Sequence, residues 1–412
     1  MKSVYSEVLR SVQGRPYLRR SVIAPNRLET RYRDFLAAIP RSASSHSLRE
    51  LRDALRCMTG REHIFFASSC RAAIAQVLSF LPHKEVVLPA YTCPVVKTAI
   101  QIAGRPIVYV DVAKNGINAT SVEFTEQAKP GRVLIPTHIF GVPTDIEAIC
   151  DLARAQDCVT IEDAAAAFGA RRDGRMLGTY GDVGVISFER SKRLPAFRGA
   201  AIIINNEKLI DPAKFPSSRL VETKRRMPIR ELVFAMFYGA ATSPWIYGRA
   251  TLPFILRRYR SLENSPVPDG LEAEKNSPFY VRDFHAYQAA LILAMLKRFD
   301  HVRARIADLV STYRQSLAGS GVMTFVPPKC DDAGLLRFPV AFPGRERSEM
   351  LRLSLNRGLF LETNYERPLP EEQDWARFPN AAWAARNLVL LPLYARLSPD
   401  EAERIAKEIV KF

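Results

Sequence analysis

Three short apolar runs, set close together, constrain the fold of this chain more than any other feature. Val159-Thr160-Ile161 ends in Glu162-Asp163 and a block of small residues, Ala164 to Ala167. Val183 to Phe188 follows Gly178 and Gly181 and leads to Ser191-Lys192. The third run is Ala200 to Ile204. Continuous apolar runs of this length, bounded by glycine and charge, read as buried strands of the kind found in parallel sheets. The first two each deliver a functional group at the C-terminal end: the Asp163 carboxylate, and the Lys192 amine in the turn beyond Phe188. In open α/β sheets the ligand crevice lies just past those ends.

Taken singly, an aspartate after a strand is a helix cap or turn former, and a lysine is a solvated cation. Brought together at one crevice, they are what pyridoxal phosphate chemistry requires. Lysine forms the Schiff base to the aldehyde, and the acid keeps the pyridine nitrogen protonated so that the ring acts as an electron sink. The frame Ile161-Glu162-Asp163-Ala164-Ala165, followed by Ser187-Phe188-x-x-Ser191-Lys192, resembles the pyridoxal-phosphate-dependent nucleotide-sugar aminotransferases of fold type I, the DegT/StrS group. That group shows an E-D-A-A-Q stretch, then S-F-x-x-[ST]-K and a glycine pair. The resemblance implies an α/β fold with a large, mainly parallel sheet domain and a smaller C-terminal α+β domain.

Composition narrows the partners. The chain has 412 residues, 47% hydrophobic and 25% charged, which suits an ordinary globular protein with room for two domains. No run approaches the roughly 20 apolar residues needed to cross a bilayer, and Met1 to Arg20 lacks the apolar core of a signal peptide. Six cysteines without a C-x-x-C pair read as reduced thiols, and a cytoplasmic location is expected. The net charge of +16 favours anionic partners. No zinc spacing, phosphate-binding G-x-x-x-x-G-K or dinucleotide glycine fingerprint is present, and the basic residues are spread out. Metal and nucleic acid are therefore not expected.

In chain order, residues 1–45 read as a basic N-terminal segment, with a short helix around Arg31 to Ile39. Residues 46–265 read as the cofactor-binding domain, and 266–412 as a long helix with the small domain. Ser68-Ser69-Cys70-Arg71 turns from a strand at His63 to Phe66 into a helix. Such a turn is a commonplace N-cap that also offers its N–H groups and positive dipole end to an anion. In the resembling family S-G-T or S-G-R holds the cofactor phosphate here, so Cys70 and Arg71 are candidates, with Cys70 where glycine is usual. Ser187 matches a serine that helps hold that phosphate. Cys93 stands where an aromatic residue stacks on the ring, and Ala166 where a glutamine bonds the ring hydroxyl. Arg198-Gly199-Ala200 departs from the glycine pair. Pro136-Thr137-His138 resembles P-V-H, and His138 reads equally as a satisfied core residue. A helix with a good N-cap is expected over Asp145 to Gln156. A single long helix is expected over His285 to Leu309, and Gly358 to Tyr365 resembles the family's G-I-x…Y.

The resemblance implies an aminotransferase in which Lys192 carries the cofactor and Asp163 holds its ring nitrogen. Its partners would be a nucleotide-linked keto-sugar and an amino-acid donor, by family analogy glutamate, acting in a homodimer. Two other readings stay open: another pyridoxal phosphate reaction such as sugar dehydration, where the family has histidine at the lysine position, and a catalytically altered component of glycan assembly at a membrane surface. From Arg219 to Arg260 nine basic residues face only Glu222 and Glu231 and enclose an aromatic-rich run. That pattern reads as a helical excursion, a subunit interface, or a peripheral contact with an anionic membrane.

Overall fold

The computed structural model describes residues 22–41, 45–82, 85–215, 229–255 and 284–411. A short helix α1 (Tyr32–Ala38) and the amphipathic α2 (Ser45–Thr59) precede the sheet. Strands and helices then alternate: β1 (His63–Ala67), α3 (Cys70–Phe80), β2 (Glu85–Pro89), α4 (Pro94–Ile102), β3 (Ile107–Val110), β4 (Arg132–Leu134), α5 (Ile146–Ala155) and β5 (Val159–Asp163). A tight hairpin of β6 (Arg171–Arg172) and β7 (Arg175–Met176) leads to β8 (Val183–Ser187) and β9 (Ala200–Ile204).

The seven-stranded sheet has the order β1-β9-β8-β5-β4-β2-β3. Strands β3, β2, β4, β5 and β8 run parallel, each joined by a crossover. Strand β9 is reversed against both neighbours, so the sheet is mainly parallel, as expected, with one antiparallel member. Between Ser187 and Ala200 the chain forms only a loop, with no helix to carry it across the sheet, and it returns beside β8 antiparallel. All five residues of β5, β8 and β9 are buried, as their unbroken apolar patterns require.

Beyond the sheet, α6 (Ile229–Ala241) is followed by α7 (Ala286–Leu296) and α8 (Phe299–Leu317). The single helix expected over His285 to Leu309 is two. It breaks at Arg298, whose backbone leaves the helical region (φ −119, ψ 12). The Arg298 guanidinium reaches back to the Asp34 carboxylate at 2.7 Å and to the Glu29 carbonyl. Helical periodicity runs through the break because α7 and α8 both bury apolar faces; a distant ion pair decides where the turn falls. The C-terminal part builds a three-stranded antiparallel sheet of β10 (Met323–Thr324), β11 (Phe338–Ala341) and β12 (Val389–Leu391). Helices α9 (Arg347–Asn356), α10 (Pro379–Asn387) and α11 (Pro399–Val410) complete it.

Two apolar cores matter for the site. One joins the inner face of the large sheet to α3 and α4, through Ile74, Val86, Ile161, Val185 and Ile202. The other joins α8, α11 and the small sheet, through Ile306, Tyr313, Val340, Leu390 and Ile405, and reaches Tyr91, Ile139 and Phe140 beside the large sheet's C-terminal ends. All six cysteines are free thiols.

Candidate active site

A cavity of about 890 Å³ opens where the strand ends meet the C-terminal core. Its wall includes Ser69, Cys70, Arg71, Cys93, Asp163 and Ala166. It also takes in Ser187, Lys192 and Arg198 from the β8–β9 connection, with Arg337, Glu362 and Tyr365 from the C-terminal core. Every site residue expected from the sequence therefore borders one space.

Asp163 closes β5. Its backbone is pinned on both sides, its N–H donating to the Pro136 carbonyl at 2.9 Å and its carbonyl accepting from His138 N–H at 3.1 Å. The carboxyl is 3% exposed and accepts one bond, from Ala165 N–H at 3.0 Å. Burial raises its pKa above the usual aspartate range, opposed by the Ala165 N–H and the positive charge of Lys192. No ion pair joins Asp163 to a cation among the described residues. A buried carboxylate in that state is costly unless a cation is brought to it.

The neighbouring Glu162 points the other way and has another task. Its carboxylate is fully buried and accepts four bonds: from Gly178 N–H at 2.6 Å, Tyr180 N–H at 2.8 Å, Gly181 N–H at 3.0 Å and His138 Nε2 at 3.0 Å. Burial alone would raise its pKa, but the His138 hydrogen bond and the glycine N–H groups outweigh it and hold the group low. His138 Nδ1 accepts from Thr144 N–H at 3.2 Å, so the ring proton sits on Nε2 and both nitrogens are engaged. His138 is thus the satisfied core residue of the two readings its sequence allowed, with only its ring bordering the cavity.

A prediction follows for stability. Glu162→Gln should cost about 3 kcal/mol at neutral pH, because backbone donors would face an amide N–H₂ in a buried site. A group with a depressed folded pKa stabilises above its unfolded value, about 4.3, and that stabilisation is lost as pH falls through the folded pKa. The gap between wild type and variant in urea unfolding should therefore narrow as pH drops below about 4. A pH-independent gap, or one below about 1 kcal/mol, would contradict this account of Glu162.

Lys192 lies in a tight turn after β8. Its N–H donates to the Glu189 carbonyl at 2.9 Å, and the Glu189 carboxylate takes both Ser191 N–H at 2.7 Å and the Ser191 hydroxyl at 2.6 Å. The Ser187 hydroxyl, 3% exposed, accepts from Glu189 N–H at 3.3 Å and keeps its own proton free to donate. Ser69 caps α3, its side chain accepting from Ala72 N–H at 3.1 Å. The positive end of that eleven-residue helix faces the cavity beside Cys70 and Arg71. Asp145 is not the expected side-chain cap of α5; its carboxylate instead accepts Ser121 N–H and hydroxyl, at 3.1 and 2.6 Å.

Burial pushes the thiols of Cys70 and Cys93 above their usual range, with the nearby Lys192 charge opposing, so both are neutral at physiological pH. Beside Cys93 stands a residue that local sequence gave no reason to place there. The Tyr365 hydroxyl lies near the Cys93 thiol, and its ring stacks on Phe140, with ring centroids 5.5 Å apart at 8°. Both take left-handed backbone conformations, φ +54 and +57, rare for aromatic residues and sustained by their packing. The aromatic wall absent at position 93 is thus supplied from 272 positions further along the chain.

These groups fit pyridoxal phosphate: an uncompensated buried carboxyl for a protonated ring nitrogen, an amine across from it, and a capped helix N-terminus with a free hydroxyl for the phosphate. Comparison with known proteins points the same way. The sequence model of the DegT/DnrJ/EryC1/StrS aminotransferase family matches residues 41–235 and 280–410. The PLP-form of the putative sugar aminotransferase Spr1654 from Streptococcus pneumoniae superposes with a TM-score of 0.72 at 17% identity, covering 95% of this chain and 98% of its own. The aminotransferase TlmJ from Streptoalloteichus hindustanus gives 0.66 at 21%, covering 92% and 95%. DesI, solved in the presence of its TDP-sugar product, gives 0.68 at 18%, covering 95% and 93%. At these identities the structural likeness is one of fold.

Proposed function

The chain belongs to the DegT/DnrJ/EryC1/StrS aminotransferase family, and from that premise we propose that this transaminase moves an amino group from an amino acid, glutamate by family likeness, to a keto-sugar carried on a nucleotide. The cofactor is pyridoxal 5′-phosphate. When bound, it supplies a cationic aromatic ring that stabilises negative charge on the carbon next to the transferred nitrogen. The observation that carries this reading is Asp163, a buried carboxyl with no cation of its own, in one cavity with Lys192.

The chain's residues divide the work. Asp163 holds a proton on the ring nitrogen and is stabilised as a carboxylate by doing so. Lys192 Nζ would be the point of attachment for the cofactor and the general base and acid that takes up and returns a proton. Ser69, Cys70 and Arg71 at the α3 N-terminus, with the Ser187 hydroxyl, bind the phosphate. Tyr365 and Cys93 wall the ring on one side. Ala166 leaves the ring hydroxyl without a side-chain partner at that position. The TDP-sugar product of DesI supports a nucleotide-linked sugar here, as does the net charge of +16, which attracts a diphosphate.

The loaded protein can be tested in half-reactions. Glutamate alone should convert the aldehyde form to the amine form with release of 2-oxoglutarate, and a nucleotide-linked amino-sugar should do so in the absence of amino acid. Conversion by amino acids only, with none by any nucleotide-linked amino-sugar tried, would remove the sugar from this reading.

A peripheral membrane contact is supported by an exposed apolar surface. Along α6, Val233, Met236 and Phe237 share a face and are 56, 63 and 73% exposed; Trp245 and Phe254 follow at 64 and 66%. Arg249 lies over the Trp245 ring at 4.9 Å. The clusters Lys224-Arg225-Arg226 and Arg257-Arg258 lie outside the described residues. Phosphatidylglycerol vesicles should bind the protein in a salt-sensitive way, and Phe237→Ser with Trp245→Ser should weaken that at least about tenfold. If the double variant instead changes the mass in solution and no vesicle binding occurs at low salt, this face belongs to the homodimer.

A further inference from the structure

The Arg198 guanidinium occupies a position that the phosphate-binding residues named above leave unexplained. It borders the cavity, yet among the described residues it pairs with no carboxylate. Its Nη2 donates only to the Tyr287 hydroxyl, at a long 3.4 Å, and its Nε is buried without a partner. A guanidinium in that state has donors to spare for an anion.

The sheet register says which end of the cavity it serves. Strands β1 and β9 pair antiparallel, with Ala67 opposite Ala200. Ser69, the cap of α3, and Arg198 each lie two residues beyond that pair, and both border the cavity. Ala200 also pairs with Ser187 on the other side of β9. Arg198 therefore shares the cavity, near these adjoining strand ends, with the helix cap and the serine hydroxyl, the groups suited to a phosphate. The backbone holds it there. Phe197 and Gly199 on either side are left-handed, at φ +68 and +109, and a Cβ on Gly199 would lie 2.5 Å from the Phe284 ring. Gln288 Nε2 clamps the Arg198 carbonyl at 2.7 Å from the partner helix α7.

We propose that Arg198 binds the phosphate of the cofactor. This rests on the cofactor reading above. A fork of N–H donors beside a helix N-terminus suits a dianionic phosphate, giving bidentate bonds where the helix and the serine give single ones.

The test is equilibrium binding to the apo-protein, read by the visible band and by protein fluorescence, with pyridoxal phosphate and with pyridoxal, which lacks the phosphate. Wild-type protein should bind pyridoxal phosphate far more tightly. Arg198→Gln should weaken pyridoxal phosphate about ten- to a hundredfold, the range of a charge-assisted bond to a buried anion. It should leave pyridoxal unchanged, and Arg198→Lys should lie between. Inorganic phosphate should compete with pyridoxal phosphate for wild type and less well for Arg198→Gln. An equal loss for both aldehydes, or no loss for either, would overturn the assignment. Failure of wild-type protein to bind either aldehyde would overturn the cofactor reading itself, and the assignment with it.

Discussion

Replacing Lys192 by arginine is expected to abolish the visible band of the cofactor-loaded protein and to lower transamination at least about a thousandfold. Arginine keeps the positive charge that Asp163 and the two cavity thiols feel, so the electrostatic environment is largely preserved. What it lacks is an amine that can be deprotonated: the guanidinium stays charged at any pH the protein survives. It can neither attach an aldehyde nor carry a proton away from a carbon. The substitution sits in a turn held by Glu189 through its backbone carbonyl and through Ser191, contacts that do not involve the lysine side chain. Thermal stability of the apo-protein should therefore be near that of wild type. Activity at half the wild-type level would remove Lys192 from the reaction.

Asp163→Asn is expected to lower the rate by about two to three orders of magnitude, the scale set by losing one preorganised charge contact. An asparagine of the same shape cannot hold a cationic ring nitrogen, so the ring's pull on electrons weakens. Asp163→Glu keeps the charge and should be milder. The pKa direction provides an independent control. The Asp163 carboxyl is raised in the folded apo-protein. A raised carboxyl favours folding below its unfolded value, about 3.9, and that contribution is lost as pH rises through the folded value. At neutral pH the buried charge is therefore a burden to the apo-protein, and Asp163→Asn should leave apo stability equal to or above wild type while activity collapses. Equal, small effects of both variants on the rate would reduce Asp163 to a turn former worth about 1 kcal/mol.

The elements that were legible in the sequence are those whose signal is local. The runs ending in Asp163 and preceding Lys192 carry their strands in unbroken apolar residues, and a ligand crevice past parallel strand ends follows from chain geometry alone. The reversal of β9 is a property of the connection: whether a loop holds a crossover is not written in the strand it joins. Glu162 is the sequence neighbour of Asp163 but has a separate task. Alternation along β5 sends it to the opposite face, where backbone N–H groups of the Gly178–Gly181 turn collect around it. Tyr365 and Arg198 were harder still. Tyr365 reaches the site through a strained backbone and a long excursion, and Arg198 gains its meaning only from the pairing of β1 with β9, which sets their two ends side by side. The break at Arg298 depends on Asp34, 264 residues away, which no periodicity could reveal.

The site draws its wall from both apolar cores: Ser69, Asp163 and Lys192 stand on the large sheet, while Arg337, Glu362 and Tyr365 come from the part built around α8 and the small sheet. A molecule held between them touches two bodies whose interiors meet beside it, at Tyr91, Ile139 and Phe140. Occupancy and the mutual docking of those bodies then become a single linked equilibrium, because whatever binds only the assembled form stabilises the assembly by mass action. Cooperativity of unfolding in such a protein is a property of its ligand as much as of its chain. Loss of the cofactor would loosen the seam between the cores before it disturbed either interior.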